Sequence, residues 1–216
     1  MLELQNVNAS YGQAQVLFNV SLSVKSGHLL LIRGLNGAGK STLLKTIMGL
    51  MPQSSGQIFW QGNALHGLAP YERSQQGLGY VPEDRRLFSA LTVKQNLEIA
   101  IPRLQRALPN GQAGLQIADV LDLFPALAGM LDRPASQMSG GEQQMLAVGR
   151  TLMTQANLLI LDEPCEGIAP VLVEAMAHAL DRLKKQGLTL LVAEQNQTLV
   201  AMADQVLTLA GGVIQD

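Results

Sequence analysis

The sequence predicts an α/β fold: a buried, mainly parallel core sheet, an antiparallel β subdomain near the start, and a helical subdomain inserted in the middle. Three observations predict it. Apolar runs without alternation recur at Leu29 to Arg33, Asn157 to Leu161 and Leu188 to Val192, the pattern of strands covered on both faces. Segments near Leu2–Val7, Val20–Val24 and Gln57–Trp60 alternate more and suit an antiparallel or edge sheet. From about Asp84 to Gln137 no core strand is visible.

Taken in order, the alternating N-terminal segments lead to the first buried strand at Leu29 to Arg33. A helix over Lys40–Leu50 follows it directly. In the middle, Thr92-Val93-Lys94-Gln95 has the form of a capping box opening a helix. Leu115–Phe124 is a second helical segment, and Pro109-Asn110-Gly111 marks the break between them. The second buried strand ends at Leu161, a helix spans Val171–Gln186, the third buried strand follows, and Gln197–Ala203 closes the helical set. The chain divides as one domain over 1–216, with residues 1–83 and 146–216 as α/β core and 84–145 as helical insertion.

Composition narrows the function. With 216 residues and 47% hydrophobic content, the chain can bury a substantial core. A net charge of −2 provides no basic field, which argues against nucleic acid as a partner. One cysteine cannot form an internal disulfide and fits a reducing, cytoplasmic setting. Met1 to Tyr11 lacks the form of a signal peptide, and no apolar run approaches the roughly 18–20 residues that span a bilayer. Any membrane role is therefore peripheral, through a protein partner.

Gly34-Leu35-Asn36-Gly37-Ala38-Gly39-Lys40-Ser41 fits G-x-x-x-x-G-K-[ST], between a strand and a helix. Backbone N–H groups in such a loop face inward onto phosphate oxygens, and the helix N-terminus adds partial positive charge. Gly37 and Gly39 permit close backbone approach, Lys40 reaches the β- and γ-phosphates, and the Ser41 hydroxyl ligates Mg²⁺. Thr42 can touch phosphate or pack in the first turn. The loop marks a P-loop NTPase that binds ATP and Mg²⁺.

Asp162 and Glu163 follow the apolar run Leu158–Leu161, at the C-terminal edge where ligands sit in open α/β sheets. Asp162 is placed for Mg²⁺, directly or through water. Glu163 is placed to orient and deprotonate an attacking water. Further upstream, Ser139 and Glu142 form a second capping-box pattern. Capping explains Ser139 and Glu142 but not Gly140 and Gly141, which let an anion approach a helix start. The chain thus carries a second phosphate-binding surface.

Met138-Ser139-Gly140-Gly141-Glu142-Gln143-Gln144 resembles the signature motif of ATP-binding cassette (ABC) ATPases. The resemblance covers nearly the whole chain and implies the ABC ATPase fold on a RecA-like core. It implies that two copies, or two different ATPase subunits, pair head to tail. Each sandwiches ATP between its own phosphate loop and the other's Ser139-Gly140-Gly141. Tyr11 looks like the aromatic that stacks on adenine; otherwise it is an edge-strand aromatic.

Tyr80 to Phe88, Gly140 to Ala147 and Glu194-Gln195-Asn196 look like the ATPases of branched-chain amino acid importers (LivF type), with urea-importer ATPases as close relatives. That resemblance implies a cytoplasmic, peripheral position on the inner face of the membrane, permease partners, and an extracellular or periplasmic solute-binding protein acting indirectly. The chain's end soon after Val213 fits a transporter ATPase without a regulatory module. Four positions depart from the general ABC pattern. Met138 stands where leucine is usual, a tolerable apolar swap. Glu83 replaces the Q-loop glutamine and can still bind Mg²⁺ or water. Gln195 stands in place of the switch histidine, and having no exchangeable proton it leaves the base role to Glu163. Cys165 is either a small buried filler or a reactive thiol. A soluble ABC protein, and an exporter or lipid-transport ATPase sharing every catalytic residue, are the alternative readings.

Overall fold

A computed structural model describes residues 1–102 and 115–215. Its strands are β1 (Leu2–Tyr11), β2 (Ala14–Val24), β3 (Leu29–Arg33), β4 (Gln53–Trp60), β5 (Asn63–Ala64), β6 (Leu78–Val81), β7 (Leu158–Asp162), β8 (Thr189–Ala193), β9 (Gln205–Ala210) and β10 (Val213–Gln215). Its α-helices are α1 (Lys40–Ile47), α2 (Pro70–Gln75), α3 (Val93–Glu98), α4 (Ile117–Leu123), α5 (Gly140–Leu152), α6 (Pro170–Lys185) and α7 (Gln197–Met202).

Two sheets result. One is antiparallel, in the order β2-β1-β4-β5; the other runs β10-β9-β3-β8-β7-β6, parallel except for the edge strand β10. The unbroken apolar runs are explained by burial on both faces. Leu29, Leu31, Leu159, Leu161, Leu190 and Val192 pack into one core layer with Met145 and Leu146 of α5 and Met176 and Leu180 of α6. The alternate residues Leu30, Ile32, Leu158, Ile160 and Leu191 pack into the other, with Leu43, Leu44 and Ile47 of α1 and Leu2 and Leu4 of β1. Helix α1 is therefore held between the two sheets, which fixes the loop that precedes it.

The expected strands and helices are present, with ends displaced by one to several residues. The buried strands near 157–161 and 188–192 each start and end one residue later than expected. Helix α1 stops at Ile47, three residues early, because the chain turns at left-handed Gly49 (φ 73°), where Leu50 N–H donates back to the Lys45 carbonyl at 2.9 Å. The Arg73 guanidinium donates to the freed carbonyls of Thr46 at 3.0 Å and Ile47 at 2.7 Å. The N-terminal strands are longer than their alternation suggested, since bulges at left-handed Asn6 (φ 49°) and Asn19 (φ 49°) break the period. Strands β5, β6, β9 and β10 and helix α2 were not anticipated.

Thr92 caps α3 as expected: its hydroxyl accepts from Gln95 N–H at 3.2 Å while the Gln95 side chain accepts from Thr92 N–H at 2.9 Å. Helix α5 runs unbroken across the expected division between residues 145 and 146. The expected break at Pro109-Asn110-Gly111 lies outside the described residues. Among the described residues no helix is long and apolar enough to cross a membrane.

The segment between β6 and α3 is tied down by one side chain. Asn96, wholly buried, accepts from Phe88 N–H at 3.1 Å and donates to the carbonyls of Phe88, Leu91 and Thr92 at 3.0–3.2 Å. A loop is thereby given the backbone partners that it lacks outside regular structure.

Candidate functional site

Register delivers the site. On neighbouring strands β3, β8 and β7, Ile32 pairs Ala193 and Ala193 pairs Asp162, so all three strands end at one level. The turns beyond them carry the phosphate loop, Gln195 and Glu163. A pocket of about 300 Å³ opens there, its walls including Asn36, Gly37, Gly39, Lys40, Ser41 and Thr42. Glu83 and Glu163 close its other side.

The loop's shape depends on its glycines. Gly37 (φ 81°) and Gly39 (φ 105°) adopt left-handed backbone that side-chain-bearing residues rarely take, and Gly39 caps α1. A Cβ on Gly34 would collide with the Leu209 carbonyl of β9. Leu35 and Ala38 close the turn through Ala38 N–H donating to Leu35 O at 3.1 Å. Lys40 is folded inward: its ammonium donates to the Gly34 carbonyl at 2.8 Å and lies 3.0 Å from the Glu163 carboxylate.

Asp162 is buried below the pocket, where its carboxylate accepts from the Ser41 hydroxyl at 2.9 Å and the Tyr80 hydroxyl at 3.1 Å. Burial pushes its pKa above the ordinary value, with the two hydroxyls opposing that rise. Burial and the neighbouring Asp162 raise the Tyr80 hydroxyl, so Tyr80 stays a donor. Among the described residues no group of three or more His, Cys, Asp or Glu is arranged to hold a metal. The hard-oxygen pair Ser41–Asp162 nonetheless fits Mg²⁺, which takes one or two protein ligands and completes its shell with phosphate oxygens and water.

Glu163 has an unusual backbone, φ 48°, on a residue that carries a side chain. The exposed Glu166 carboxyl titrates above its ordinary value, chiefly because it hydrogen-bonds Glu163 and then because it feels that residue's charge. Gln195 lies beside the phosphate loop, donating to Asn36 Oδ1 at 3.3 Å. Tyr11 is half-exposed at the end of β1 and is not on the pocket wall, where Val16 is.

Ser139, Gly140 and Gly141 do not line this pocket. They open α5, where Ser139 N–H donates to Glu142 Oε2 at 2.7 Å. Gly141 has a packing reason besides any anion: a Cβ there would collide with Leu172 of α6. Gly140 faces the Arg85 guanidinium, which donates to Gln144 at 3.1 Å and Gln143 at 3.3 Å. Cys165 is buried, and burial followed by the charge of Glu194 pushes its thiol up to about 12. It is a small filler and not a thiolate nucleophile.

Sequence reasoning missed Glu166, Tyr80, Arg85 and Glu194. Tyr80, Arg85 and Glu194 lie inside segments that carry the importer resemblance but gain no role from it, because they act through contacts between distant segments.

Because the folded value of Asp162 is raised, its charged form costs the ligand-free fold stability. That contribution is present below the ordinary value of 3.8 and lost as pH rises through the raised value. We predict that Asp162→Asn raises the ligand-free melting temperature at pH 7, because the amide carries no charge for burial to penalise. The difference should shrink below the ordinary value. Calorimetry across pH checks it, and a variant that melts lower at pH 7 contradicts the burial argument.

Comparison with known proteins assigns the family. The model of the family described as ABC transporter matches residues 17–166. The high-affinity branched-chain amino acid transport ATP-binding protein BraG of Pseudomonas aeruginosa is 40% identical over 215 residues, covering 99% of this chain and 91% of that protein. The probable branched-chain amino acid transport ATP-binding protein LivF of Archaeoglobus fulgidus is 36% identical over 214 residues, covering 98% and 89%. Among solved structures, a nucleotide-free ATP-binding cassette from an ABC transporter superposes with a TM-score of 0.85 at 26% identity, covering 100% of this chain and 90% of that one. The chain belongs to the ABC transporter family as an ATP-binding, ATP-hydrolysing subunit.

Proposed function

We propose that this chain powers an importer of branched-chain amino acids or similar small polar solutes, urea included. It works as one of two cassettes, identical or not, seated on membrane permease subunits at the cytoplasmic face. A solute-binding protein outside the membrane delivers the cargo. The observation that carries the chemistry is the convergence, over one phosphate loop, of Lys40–Glu163 at 3.0 Å and Ser41–Asp162 at 2.9 Å. The cargo class follows from the two amino-acid transport relatives, which align over nearly their whole length.

In this reading the loop amides and Lys40 hold the phosphates of ATP. Ser41 and Asp162 would hold Mg²⁺, with Glu83 close enough on the pocket wall to take part. Mg²⁺, when bound, supplies positive charge to the β- and γ-phosphates. Glu163 accepts a proton from the attacking water as that oxygen bonds to the γ-phosphorus. The bond to the β–γ bridging oxygen breaks, and ADP and phosphate result. Gln195, held at Asn36, orients the γ-phosphate without exchanging a proton. Tyr11 stacks on the adenine.

Ser139, Gly140 and Gly141 serve the nucleotide on the other cassette, so binding ATP draws two subunits together. The helical segment 84–145 then moves with α5. Arg85 joins that helix to the Glu83–Phe88 segment, and the Arg150 guanidinium lies over the ring of half-exposed Phe88 at 5.4 Å. That makes Phe88 the apolar point of contact for the permease.

Glu163→Gln keeps the pocket's shape but removes the base. We predict a loss of turnover of about 100-fold or more, with ATP-bound dimer accumulating; unchanged turnover contradicts the base role. The import reading has its own test. In a complex reconstituted with its permease and binding protein, leucine-like amino acids, urea or short amides should stimulate ATP hydrolysis, and stimulation by none of them refutes it.

A further inference from the structure

Glu194 lies one residue beyond β8 and is buried, and among the described residues no cation forms an ion pair with it. Its carboxylate takes backbone partners. Oε2 accepts from Cys165 N–H at 3.0 Å, while Oε1 accepts from Gln195 N–H at 2.8 Å and Asn196 N–H at 3.1 Å. One side chain therefore joins the loop after β7 to the loop after β8. Hydrogen bonds from N–H groups to an ionised carboxylate are among the stronger ones a fold contains.

What these loops carry makes the link consequential. Glu163 sits two residues before Cys165 in a left-handed conformation that is strained for a residue with a side chain and persists only where the surroundings over-determine it. Its N–H donates to the Ala193 carbonyl at 2.9 Å, and Cys165 N–H is held by Glu194. The strained residue is thus bracketed by bonds to β8 and its end. Gln195 is held at its own N–H by the same carboxylate while its side chain reaches Asn36. Glu194 itself does not line the phosphate pocket.

We propose that Glu194 is a positioning residue for ATP hydrolysis: it clamps the Glu163 loop to the Gln195 loop, so that base and γ-phosphate contact hold one fixed geometry. The proposal rests on the reading of Glu163 as general base. An amide in place of the carboxylate keeps the volume but turns one acceptor into a donor facing N–H groups, so the clamp opens on one side. Lost orientation should appear in turnover and not in nucleotide affinity, because the phosphate loop is untouched.

The test uses the purified full chain, with Glu194→Gln, Glu194→Ala and Glu163→Gln measured in parallel. For both Glu194 variants kcat is expected to fall about 10- to 100-fold while the ATP dissociation constant moves by less than about twofold. A folded Glu194→Gln with unchanged kcat overturns the proposal, as does a fall in affinity matching the fall in kcat. Amide hydrogen exchange on the unsubstituted protein gives a second reading that needs no variant to fold. The N–H groups of Cys165, Gln195 and Asn196 should exchange as slowly as those of β8, and exchange at exposed-loop rates overturns the clamp. If Glu163→Gln loses turnover and Glu194→Gln does not, only the positioning role fails. If Glu163→Gln keeps turnover, the base reading fails and takes this proposal with it.

Discussion

The alignment of Ile32, Ala193 and Asp162 across three parallel strands is the constraint on which the rest of the site depends. These strands are apolar on both faces, so alternation of hydropathy alone does not set their register. Their ends do. A slip of one residue on β7 would separate Asp162 from the hydroxyls of Ser41 and Tyr80, leaving a buried carboxylate without partners, a cost of several kcal/mol. A slip on β8 would separate Glu194 from the Cys165 N–H, the one partner it has outside its own loop. At the opposite edge, Thr189 N–H donates to the Asn157 carbonyl at 3.1 Å and its hydroxyl accepts from Gly27 N–H at 3.0 Å, which anchors the strands from below. Fold stability and site geometry are therefore set by the same contacts.

Charge is arranged around that edge so that each buried group has a partner and each partner has a use. Lys40 is buried against loop carbonyls and Glu163; Asp162 rests on two hydroxyls; Glu194 takes three backbone N–H groups. None of these groups is held by a packed apolar substitute, which would give a more comfortable fold and no chemistry. The strain at Glu163 belongs to the same trade: its left-handed backbone lies just past the end of β7, at the residue that carries the pocket carboxylate.

Much of this was legible in the sequence because it is local. The phosphate loop announces itself by spacing, the three central strands by unbroken apolar runs, and the starts of α3 and α5 by capping residues that the structure uses as caps. What was illegible is tertiary. Strand β6 is four residues long and gains its identity only by pairing β7. Strands β9 and β10 form an edge hairpin around Gly211 and Gly212, with mixed burial and no clear period. The side chain that satisfies the last carbonyls of α1 is Arg73, 26 residues further on. Among site residues, Arg85 and Glu194 read as ordinary charges until folding places one against α5 and the other between two loops. Gly141 shows the opposite limit: its apparent meaning was an anion, and its packing against Leu172 was invisible.

Under the proposed head-to-tail pairing the chain holds half of each site. The phosphate loop and its carboxylates face one pocket, while Ser139 opens a helix outside that pocket, and in the proposed reading this helix start serves another chain. The most direct measurement mixes two variants that are each inactive alone. Lys40→Ala removes the phosphate contact, and Ser139→Arg blocks the helix start. In a mixed dimer one interface carries both defects and the other carries neither, so ATP hydrolysis should reappear on mixing. A mixture no more active than the sum of its separate components would contradict the account.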